Sequence, residues 1–228
     1  MVISDRYRYL YFVIPKCGSA TVRHALEPFT DVGYPVTAFE EHVTIRKFLS
    51  KYDEAGRFDR CFKFTFVRNP YDRLYSAFRQ DMIASTRWEP WIEVKQPIFK
   101  KVGDDFNTYM QDYVAGADLH NAWDWICFCP MVDFSHLNGT LVLDWIGRTE
   151  NLDQDIRQLA GLLGVEFGEI EKLNVRGQIT ENDTQQPGYL KHYTRETVRL
   201  VNEVYAEDFA AFGYQMRNPD DFPLTLPS

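Results

Sequence analysis

Residues Tyr9 to Ala25 read YLYFVIPKCGSATVRHA and join a strand pattern, a turn of small residues and the start of a helix. The apolar run from Tyr9 to Ile14 is rich in aromatic and β-branched side chains, which is typical of a strand buried on both faces of a parallel sheet. Pro15 ends that strand, and apolar residues at helical spacing predict a helix that stops at Pro28. The stretch therefore predicts a strand–loop–helix corner of an α/β fold.

The loop of this corner, Lys16 to Thr21, consists mostly of small residues. At a helix N-terminus, backbone N–H groups and the positive end of the helix dipole point into one concavity, where a phosphate can approach without obstruction by Cβ atoms. Lys16 adds a positive charge, and Ser19 or Thr21 adds a hydroxyl donor. The loop is not a Walker A motif, because its lysine precedes the glycine. Taken alone, the pattern fits a phosphate loop and an ordinary turn with a solvated lysine about equally well.

A second corner follows the alternating run FKFTFV, Phe62 to Val67, which predicts a strand. Asn69 is a suitable N-cap and Pro70 suits the first helical turn, so a helix is predicted directly after Arg68. Arg68 then lies at the carboxyl end of a strand, and Ser76 lies about two turns into the helix. An arginine fork and a hydroxyl suit a second phosphate.

In this order, the two corners resemble those of the sulfotransferases that use 3'-phosphoadenosine 5'-phosphosulfate (PAPS), in the branch related to carbohydrate sulfotransferases. IPKCGSATV is similar to the 5'-phosphosulfate loop of that family, and VRNPYDRLYSAF is similar to its 3'-phosphate motif. The resemblance spans most of residues 9 to 214. The nucleotide-binding residues that it implies are Lys16, Cys17, Gly18, Ser19, Ala20 and Thr21 for the 5' end and Arg68 and Ser76 for the 3'-phosphate.

The resemblance also implies a three-layer, P-loop-like α/β fold with a central parallel sheet flanked by helices and ligands at the carboxyl ends of the strands. A chain of 228 residues, 45% of them hydrophobic, is large enough for one globular core, so residues 1–228 are expected to form a single domain. The run from Leu141 to Ile146 predicts a third strand, and the following helix, with Leu162 facing inward, should stop at Gly164. A helix is predicted from Thr194 to Phe212. Residues 215–228 are expected to form a loose tail.

A candidate base, His42, precedes a predicted helix that contains Ile45 and Phe48. In the branch similar to glycosaminoglycan 2-O-sulfotransferases, a histidine in a similar His-Val segment is the catalytic base, so the resemblance implies that role for His42. Histidine suits it because imidazole titrates near neutral pH. A surface histidine at a helix start is the alternative interpretation. Other candidate bases are Glu40, Glu41, His120 and His136.

Residues 81–139 are expected to determine the acceptor, because the family resemblance is weakest there. Trp88, Trp91, Trp123 and Trp125 are candidates for stacking on a sugar, although packing in a core is the more common role of such side chains. Farther along, Arg176 lies in a polar loop. Similar loops of the family close over the nucleotide, which makes Arg176 a candidate for the 3'-phosphate or the adenine side.

By resemblance, the predicted reaction is in-line sulfuryl transfer from PAPS to an acceptor hydroxyl, on a carbohydrate or a small molecule, with adenosine 3',5'-bisphosphate as product. Lys16 would stabilise the charge that grows on the leaving oxygen, and no metal is expected to be required. A P-loop-type kinase that uses ATP and magnesium, or a noncatalytic nucleotide- or glycan-binding module, are the alternatives. The sequence leaves the acceptor and the oligomeric state open.

The composition narrows the function classes further. A net charge of −8 argues against a broad nucleic-acid interface. No apolar run reaches the roughly 18 residues of a membrane-spanning helix, and the first residues do not follow a signal-peptide pattern, so a cytoplasmic protein is expected. Four cysteines do not form a disulfide framework in a chain of this length, and Cys127 and Cys129 without a second pair predict no metal site.

Overall fold

The structure, a computed structural model, describes residues 1–32, 41–53, 56–168 and 187–226. The chain divides into two compact units, one made of Met1–Arg68 and Met131–Arg176 and the other of Asn69–Pro130 and Gly177–Ser228. The expectation of a single domain stays a prediction. The strands of the described residues are, in chain order, β1 (Val2–Ser4), β2 (Tyr9–Tyr11), β3 (Phe62–Val67), β4 (His136–Leu137), β5 (Thr140–Leu141) and β6 (Trp145–Arg148).

The α-helices of the described residues alternate with these strands in the first unit and dominate the second. Short 3-10 turns connect several of them, and a π-helical turn, Met110–Val114, extends α6. The α-helices are α1 (Ser19–Leu26), α2 (Ile45–Lys51), α3 (Arg57–Arg60), α4 (Pro70–Ala84), α5 (Trp91–Val102), α6 (Phe106–Tyr109), α7 (Leu152–Leu163), α8 (Arg195–Val204) and α9 (Ala206–Phe212).

The first unit is built on a sheet with the strand order β1-β2-β3-β6. Strands β2, β3 and β6 run parallel, with Tyr11 beside Phe64 and Val67 beside Arg148, which confirms the predicted central parallel sheet. Strand β1, which sequence analysis did not assign, adds an antiparallel edge to β2. Because β2, β3 and β6 are parallel, their carboxyl ends lie at one edge of the sheet.

Both faces of this sheet are covered, which explains why β2 shows no polar alternation. On one face, Phe12 packs edge-on against Phe48 of α2, with ring centroids 5.4 Å apart. On the other face, Tyr11 stacks on Phe64 at 5.0 Å. On that face the Tyr9 hydroxyl donates to the carbonyl oxygen of Phe29, just after α1, over 3.2 Å. Helical segments therefore flank the sheet on both sides.

The third strand of the parallel set begins later than the sequence predicted. Leu141 belongs to the separate β4–β5 hairpin and is 47% exposed, and the sheet strand starts at Trp145. Asp144 sets this start, because its carboxylate accepts from the N–H of Lys63 at 2.7 Å while its own N–H donates to the Lys63 carbonyl. Helix α7 stops at Gly164 as predicted, but Leu162 is 49% exposed and does not face inward.

The second unit packs around α4, whose start is built as the sequence predicted. The Asn69 side chain accepts from the N–H of Tyr71 at 3.1 Å, and Pro70 is the first helical residue. The predicted helix from Thr194 to Phe212 is instead two helices, α8 and α9, which meet at Tyr205. The buried Tyr205 hydroxyl donates to the carbonyl oxygen of Phe128 over 2.7 Å.

The carboxyl-terminal residues, which the sequence predicted to be loose, are anchored in the second unit. Phe222 is buried in the same aromatic cluster as Tyr71 and Phe209. The N–H of Arg195 donates to the carbonyl oxygen of Pro223 over 2.8 Å. Burial of the Phe222 side chain in the core thus fixes this segment, although the prolines around it favour turns.

Candidate functional site

The loop between β2 and α1 has an unusual backbone. Lys16 has φ 68° and Gly18 has φ 72°, both in the left-handed region, and α1 begins directly after Gly18. This region costs a residue with a Cβ atom about 1–2 kcal/mol. A lysine is kept there only when its surroundings hold it. The loop is therefore a constrained turn at a helix N-terminus, of the kind that aims backbone N–H groups at an anion.

The residue between these two positions, Cys17, points inward. Its side chain is fully buried, and its thiol lies 3.9 Å from the Met131 sulfur. The thiol is therefore a packing group that anchors the loop, and only the backbone of Cys17 can serve a ligand.

Gly18 is closely approached by the segment that starts α7. A Cβ atom at this position would lie 3.3 Å from both methyl groups of Leu152 and 3.6 Å from the Thr149 methyl group. The Thr149 hydroxyl in turn donates to the carbonyl oxygen of Val67 over 3.0 Å. The end of β3 and the start of α7 thus pack against the loop, and both the positive φ and this close approach favour glycine at position 18.

Arg68 brings the second predicted corner to the first. Its Nη1 donates to the backbone oxygen of Lys16 over 3.1 Å, and both side chains are half-buried. This hydrogen bond places the Arg68 guanidinium beside the backbone of the Lys16 loop, while the common nucleotide site stays a prediction.

His42 reaches the same edge of the sheet from the segment before α2. Its Nδ1 lies 2.9 Å from the carbonyl oxygen of Val13, just upstream of Lys16. Because a carbonyl oxygen can only accept, Nδ1 must carry the proton in the neutral ring, and Nε2 is then the basic nitrogen. A half-buried imidazole with this tautomer can accept a proton from a hydroxyl.

A family model with the description "Sulfotransferase family" matches residues 1–215 of the chain. The chain belongs to the sulfotransferase family. The predicted resemblance is thereby confirmed, and it extends well beyond the two anion-binding corners.

Several curated relatives are similar over 93% of this chain. Carbohydrate sulfotransferase 10 of Xenopus laevis is 23% identical, with 66% of its own length covered, and that of Danio rerio is 24% identical, with 65% covered. Carbohydrate sulfotransferase 9 of Homo sapiens is 21% identical, with 52% covered. The chain thus spans slightly less than two thirds of the first two relatives. No solved structure matches it significantly.

The other residues predicted as candidate bases have different surroundings. Glu41 is paired with Arg23 at 2.7 Å. His136 lies in the β4–β5 hairpin, with its Nδ1 at 2.8 Å from the Ser135 hydroxyl. His120 is exposed in the second unit. Glu40 and Arg176 lie outside the described residues. His42, by contrast, is hydrogen-bonded to Val13, in the strand end that leads into the Lys16 loop.

For the remaining nucleotide-binding candidates, the binding role stays a prediction. Thr21 is buried at 2% exposure, whereas Ser19 and Ala20 are half-buried at the start of α1. Ser76 is half-buried on α4 in the second unit. In the same helix Arg73 is fully buried and donates to the carbonyl oxygen of Cys129 over 2.7 Å, so this arginine supports the second unit from within.

Thr149 and Leu152 are neighbours of the candidate site that were not predicted from the sequence. They follow β6, where Arg148 lies beside Val67, and they contact the phosphate loop from far along the chain. Asp155 accepts the backbone N–H of Arg148 at 2.6 Å. A threonine that follows a third parallel strand was the available signal, but only the register of β6 shows where it points.

The region expected to determine the acceptor exposes part of its aromatic surface. Trp88 is 52% exposed and Trp123 is 40% exposed, so the core interpretation fails for these two. Trp125 packs against the aromatic cluster of the second unit, as that interpretation requires. Trp91 contacts Trp123 edge-on, with ring centroids 5.1 Å apart, and its indole N–H donates to Asp81.

A buried ion pair lies beneath these tryptophans. Lys95 and Asp81 are both fully buried, with 3.5 Å between the ammonium nitrogen and a carboxylate oxygen. The Tyr109 hydroxyl donates to the same carboxylate over 2.8 Å. Burial raises the pKa of Asp81 and lowers the pKa of Lys95. Lys95 remains charged through Asp81 and through Asp124, whose carboxylate lies 3.8 Å from the same ammonium, and Asp81 depends on Lys95 for its charge.

The described residues contain no helix long and apolar enough to cross a membrane. In the same part of the chain, no group of three or more His, Cys, Asp or Glu side chains is placed to hold a metal ion. The cytoplasmic location expected from the sequence stays a prediction.

Proposed function

We propose that this protein transfers a sulfuryl group from PAPS to a hydroxyl group of a carbohydrate acceptor and releases adenosine 3',5'-bisphosphate. The observation that carries the proposal is the hydrogen bond from Arg68 to the Lys16 carbonyl, which joins the two predicted anion-binding corners. Membership of the sulfotransferase family is consistent with PAPS as the donor. In this proposal, the nucleotide lies at the carboxyl edge of a P-loop-like sheet.

The phosphate loop would hold the 5' end of the donor. Backbone N–H groups from Gly18 to Thr21 lie at the N-terminus of α1, where the helix dipole favours negative charge. Lys16 adds a full positive charge beside them. Arg68 and Ser76 would select nucleotides that carry a 3'-phosphate, with the guanidinium making the stronger contact.

His42 would act as the general base of the transfer. The acceptor oxygen attacks the sulfur, its proton passes to Nε2 of His42, and the bond between sulfur and the bridging oxygen breaks. The electron pair of that bond stays on the 5'-phosphate of the product, where Lys16 stabilises the added charge. As in phosphoryl transfer, positioning and charge stabilisation should supply most of the rate enhancement.

A carbohydrate is the proposed acceptor because the relatives described above are named carbohydrate sulfotransferases. Residues 81–139 are proposed to contact it, and Trp123 and Trp88 offer exposed aromatic surface there. Indole rings can pack against the C–H faces of a sugar, while carboxylate oxygens can accept hydrogen bonds from its hydroxyl groups.

Calorimetry with two nucleotides tests the donor site. Adenosine 3',5'-bisphosphate should bind more tightly than AMP, because only the former offers a 3'-phosphate to Arg68. Equal affinities would refute the assignment of Arg68 and Ser76. Magnesium-dependent binding of ATP would instead favour a kinase.

A panel of oligosaccharides incubated with PAPS tests the reaction. A product heavier by one sulfuryl group, detected by mass spectrometry, is the expected result. Binding of adenosine 3',5'-bisphosphate by a protein that sulfates neither sugars nor other hydroxyl compounds would favour a noncatalytic nucleotide-binding module.

A further inference from the structure

A hydrogen bond within the first unit links the two ends of the proposed nucleotide site. Arg68 Nη1 donates to the backbone oxygen of Lys16 over 3.1 Å. Arg68 is proposed to bind the 3'-phosphate, whereas the Lys16 carbonyl belongs to the loop proposed for the 5' end. One side chain therefore touches both halves of the site.

The hydrogen bond from Arg68 is made to the carbonyl of Lys16, a residue with an unfavourable backbone conformation. Lys16 has φ 68°, a conformation that side chains with a Cβ atom rarely adopt. The following peptide group is planar, so the direction of the Lys16 carbonyl fixes the direction of the Cys17 N–H on its other side. The orientation of N–H groups in the phosphate loop thus depends on what holds this carbonyl.

A guanidinium group is suited to this double task. It carries five N–H donors in a rigid fork, so it can serve a backbone carbonyl and a phosphate at the same time. A phosphate bound to one side of the fork would also restrict the rotation of the side chain. The bond to Lys16 would then become better defined.

We infer that Arg68 is a positioning residue for the 5'-phosphosulfate loop in addition to being a ligand of the 3'-phosphate. Binding at the two ends of the donor is coupled through this one side chain. The inference rests on the proposed function, since it presupposes that a doubly phosphorylated adenosine occupies the site.

Calorimetry on the full chain with AMP and adenosine 3',5'-bisphosphate tests the coupling. AMP lacks the 3'-phosphate, so a residue that only binds that group should not affect its affinity. We expect Arg68→Ala to weaken AMP binding about tenfold, the size of effect that follows from losing one hydrogen bond to a charged group. Binding of the bisphosphate should fall by a larger factor. Arg157→Ala, on the exposed surface of α7, is the matched control and should change neither affinity.

The melting temperature of nucleotide-free Arg68→Ala shows whether Arg68 orients the Lys16 loop or merely stabilises the fold. If Arg68→Ala leaves AMP affinity unchanged and weakens only the bisphosphate, the coupling is wrong and the proposed function stands. If Arg68→Ala lowers the melting temperature but leaves the AMP affinity unchanged, the positioning role of Arg68 is also wrong. If the unaltered protein binds neither nucleotide, the proposed function fails, and the inference fails with it.

The conservative variant Arg68→Lys provides a second test that does not depend on Arg68→Ala folding. Its ammonium group retains the charge but lacks the fork, so it cannot serve both partners in the same geometry. Both affinities should fall, each by less than in Arg68→Ala. Unaltered AMP affinity in Arg68→Lys contradicts the positioning role.

Discussion

The Nδ1 atom of His42 lies 2.9 Å from the carbonyl oxygen of Val13, in the strand end that leads into the phosphate loop. This contact fixes both the ring orientation and the tautomer, because the carbonyl accepts a proton donated by Nδ1. In the proposed reaction, this orientation leaves Nε2 of His42 as the atom that accepts the proton.

The first prediction concerns catalysis by His42. His42→Ala should lower the turnover number by about 10²–10⁴-fold, the usual contribution of a general base. Binding of adenosine 3',5'-bisphosphate should change little, since the imidazole is assigned to the acceptor proton and not to the nucleotide. Initial rates with labelled PAPS and calorimetry measure the two quantities.

His136→Ala is the control for this variant, because His136 belongs to the β4–β5 hairpin and bonds to Ser135. Its turnover should resemble that of the unaltered protein. Full activity in His42→Ala, or a comparable loss in His136→Ala, would show that the base has been assigned wrongly.

The second prediction concerns the glycine of the phosphate loop. Gly18→Ala should weaken nucleotide binding and lower the free energy of unfolding by about 1–2 kcal/mol, because an added Cβ meets both a positive φ and Leu152. Urea denaturation and calorimetry are the measurements. Gly161→Ala is the matched control, since a Cβ at that helical position contacts nothing within 4 Å. It should raise stability by about 0.5–1 kcal/mol and leave binding unaltered.

The third prediction concerns the buried pair of Asp81 and Lys95. Asp81→Asn removes the nearer of the two carboxylates beside the buried ammonium, at 3.5 Å against 3.8 Å for Asp124, which should cost about 3 kcal/mol or more of folding stability. Combining it with Lys95→Met should recover much of this loss, because the buried ammonium is then removed and the Asp124 side chain, 24% exposed, is still in contact with solvent. Chemical denaturation of the two variants tests both statements.

An exposed pair in the same unit serves as the comparison for these variants. Glu196 and Arg199 lie 2.8 Å apart with about half of each side chain exposed, so Glu196→Gln should cost less than about 1 kcal/mol. Similar losses for Asp81→Asn and Glu196→Gln would mean that the buried pair is well solvated or uncharged.

The fourth prediction concerns acid sensitivity at His192. Burial lowers the pKa of this imidazole below its ordinary value of 6.5, and the nearby Lys191 and Arg79 charges act in the same direction. The unfolded chain therefore binds the proton more tightly than the native protein does. Stability should fall as the pH decreases from about 6.5 through the native pKa of His192.

His192→Gln should remove this part of the acid sensitivity, because the amide does not titrate. Urea denaturation at several pH values between 5 and about 7.5 brackets the range in which an ordinary histidine titrates. An identical pH dependence in the variant would show that other groups determine it. The histidine ring also stacks on Tyr75 at 4.3 Å, so a loss of stability at every pH is expected as well.

The features of the fold that could be predicted from the sequence are those with local signals, such as the ends of helices. Asn69 and Pro70 begin α4, and Gly164 ends α7, because capping involves only backbone groups within one helical turn. Long-range pairing behaved differently. The strand expected at Leu141 begins at Trp145, because hydrogen bonds between Asp144 and Lys63 decide where the sheet starts.

The break between α8 and α9 shows the same limit. The helical period of the sequence continues through Tyr205, yet the helix ends there, where the hydroxyl of Tyr205 bonds to the distant carbonyl of Phe128. Likewise, two of the exposed tryptophans could not be distinguished from core residues by type alone, since burial depends on which segments pack against them.

The sequence by itself determined the two strand–loop–helix corners, the family that they resemble and the candidates Lys16, Arg68 and His42. Each of these follows from residue types within one short segment. Only the tertiary structure decided that Arg68 supports the Lys16 carbonyl, that Val13 sets the tautomer of His42 and that Leu152 closes on Gly18. The physical reason is that these contacts join residues far apart in the chain, whose distances depend on how the parallel strands and the segments around them pack together.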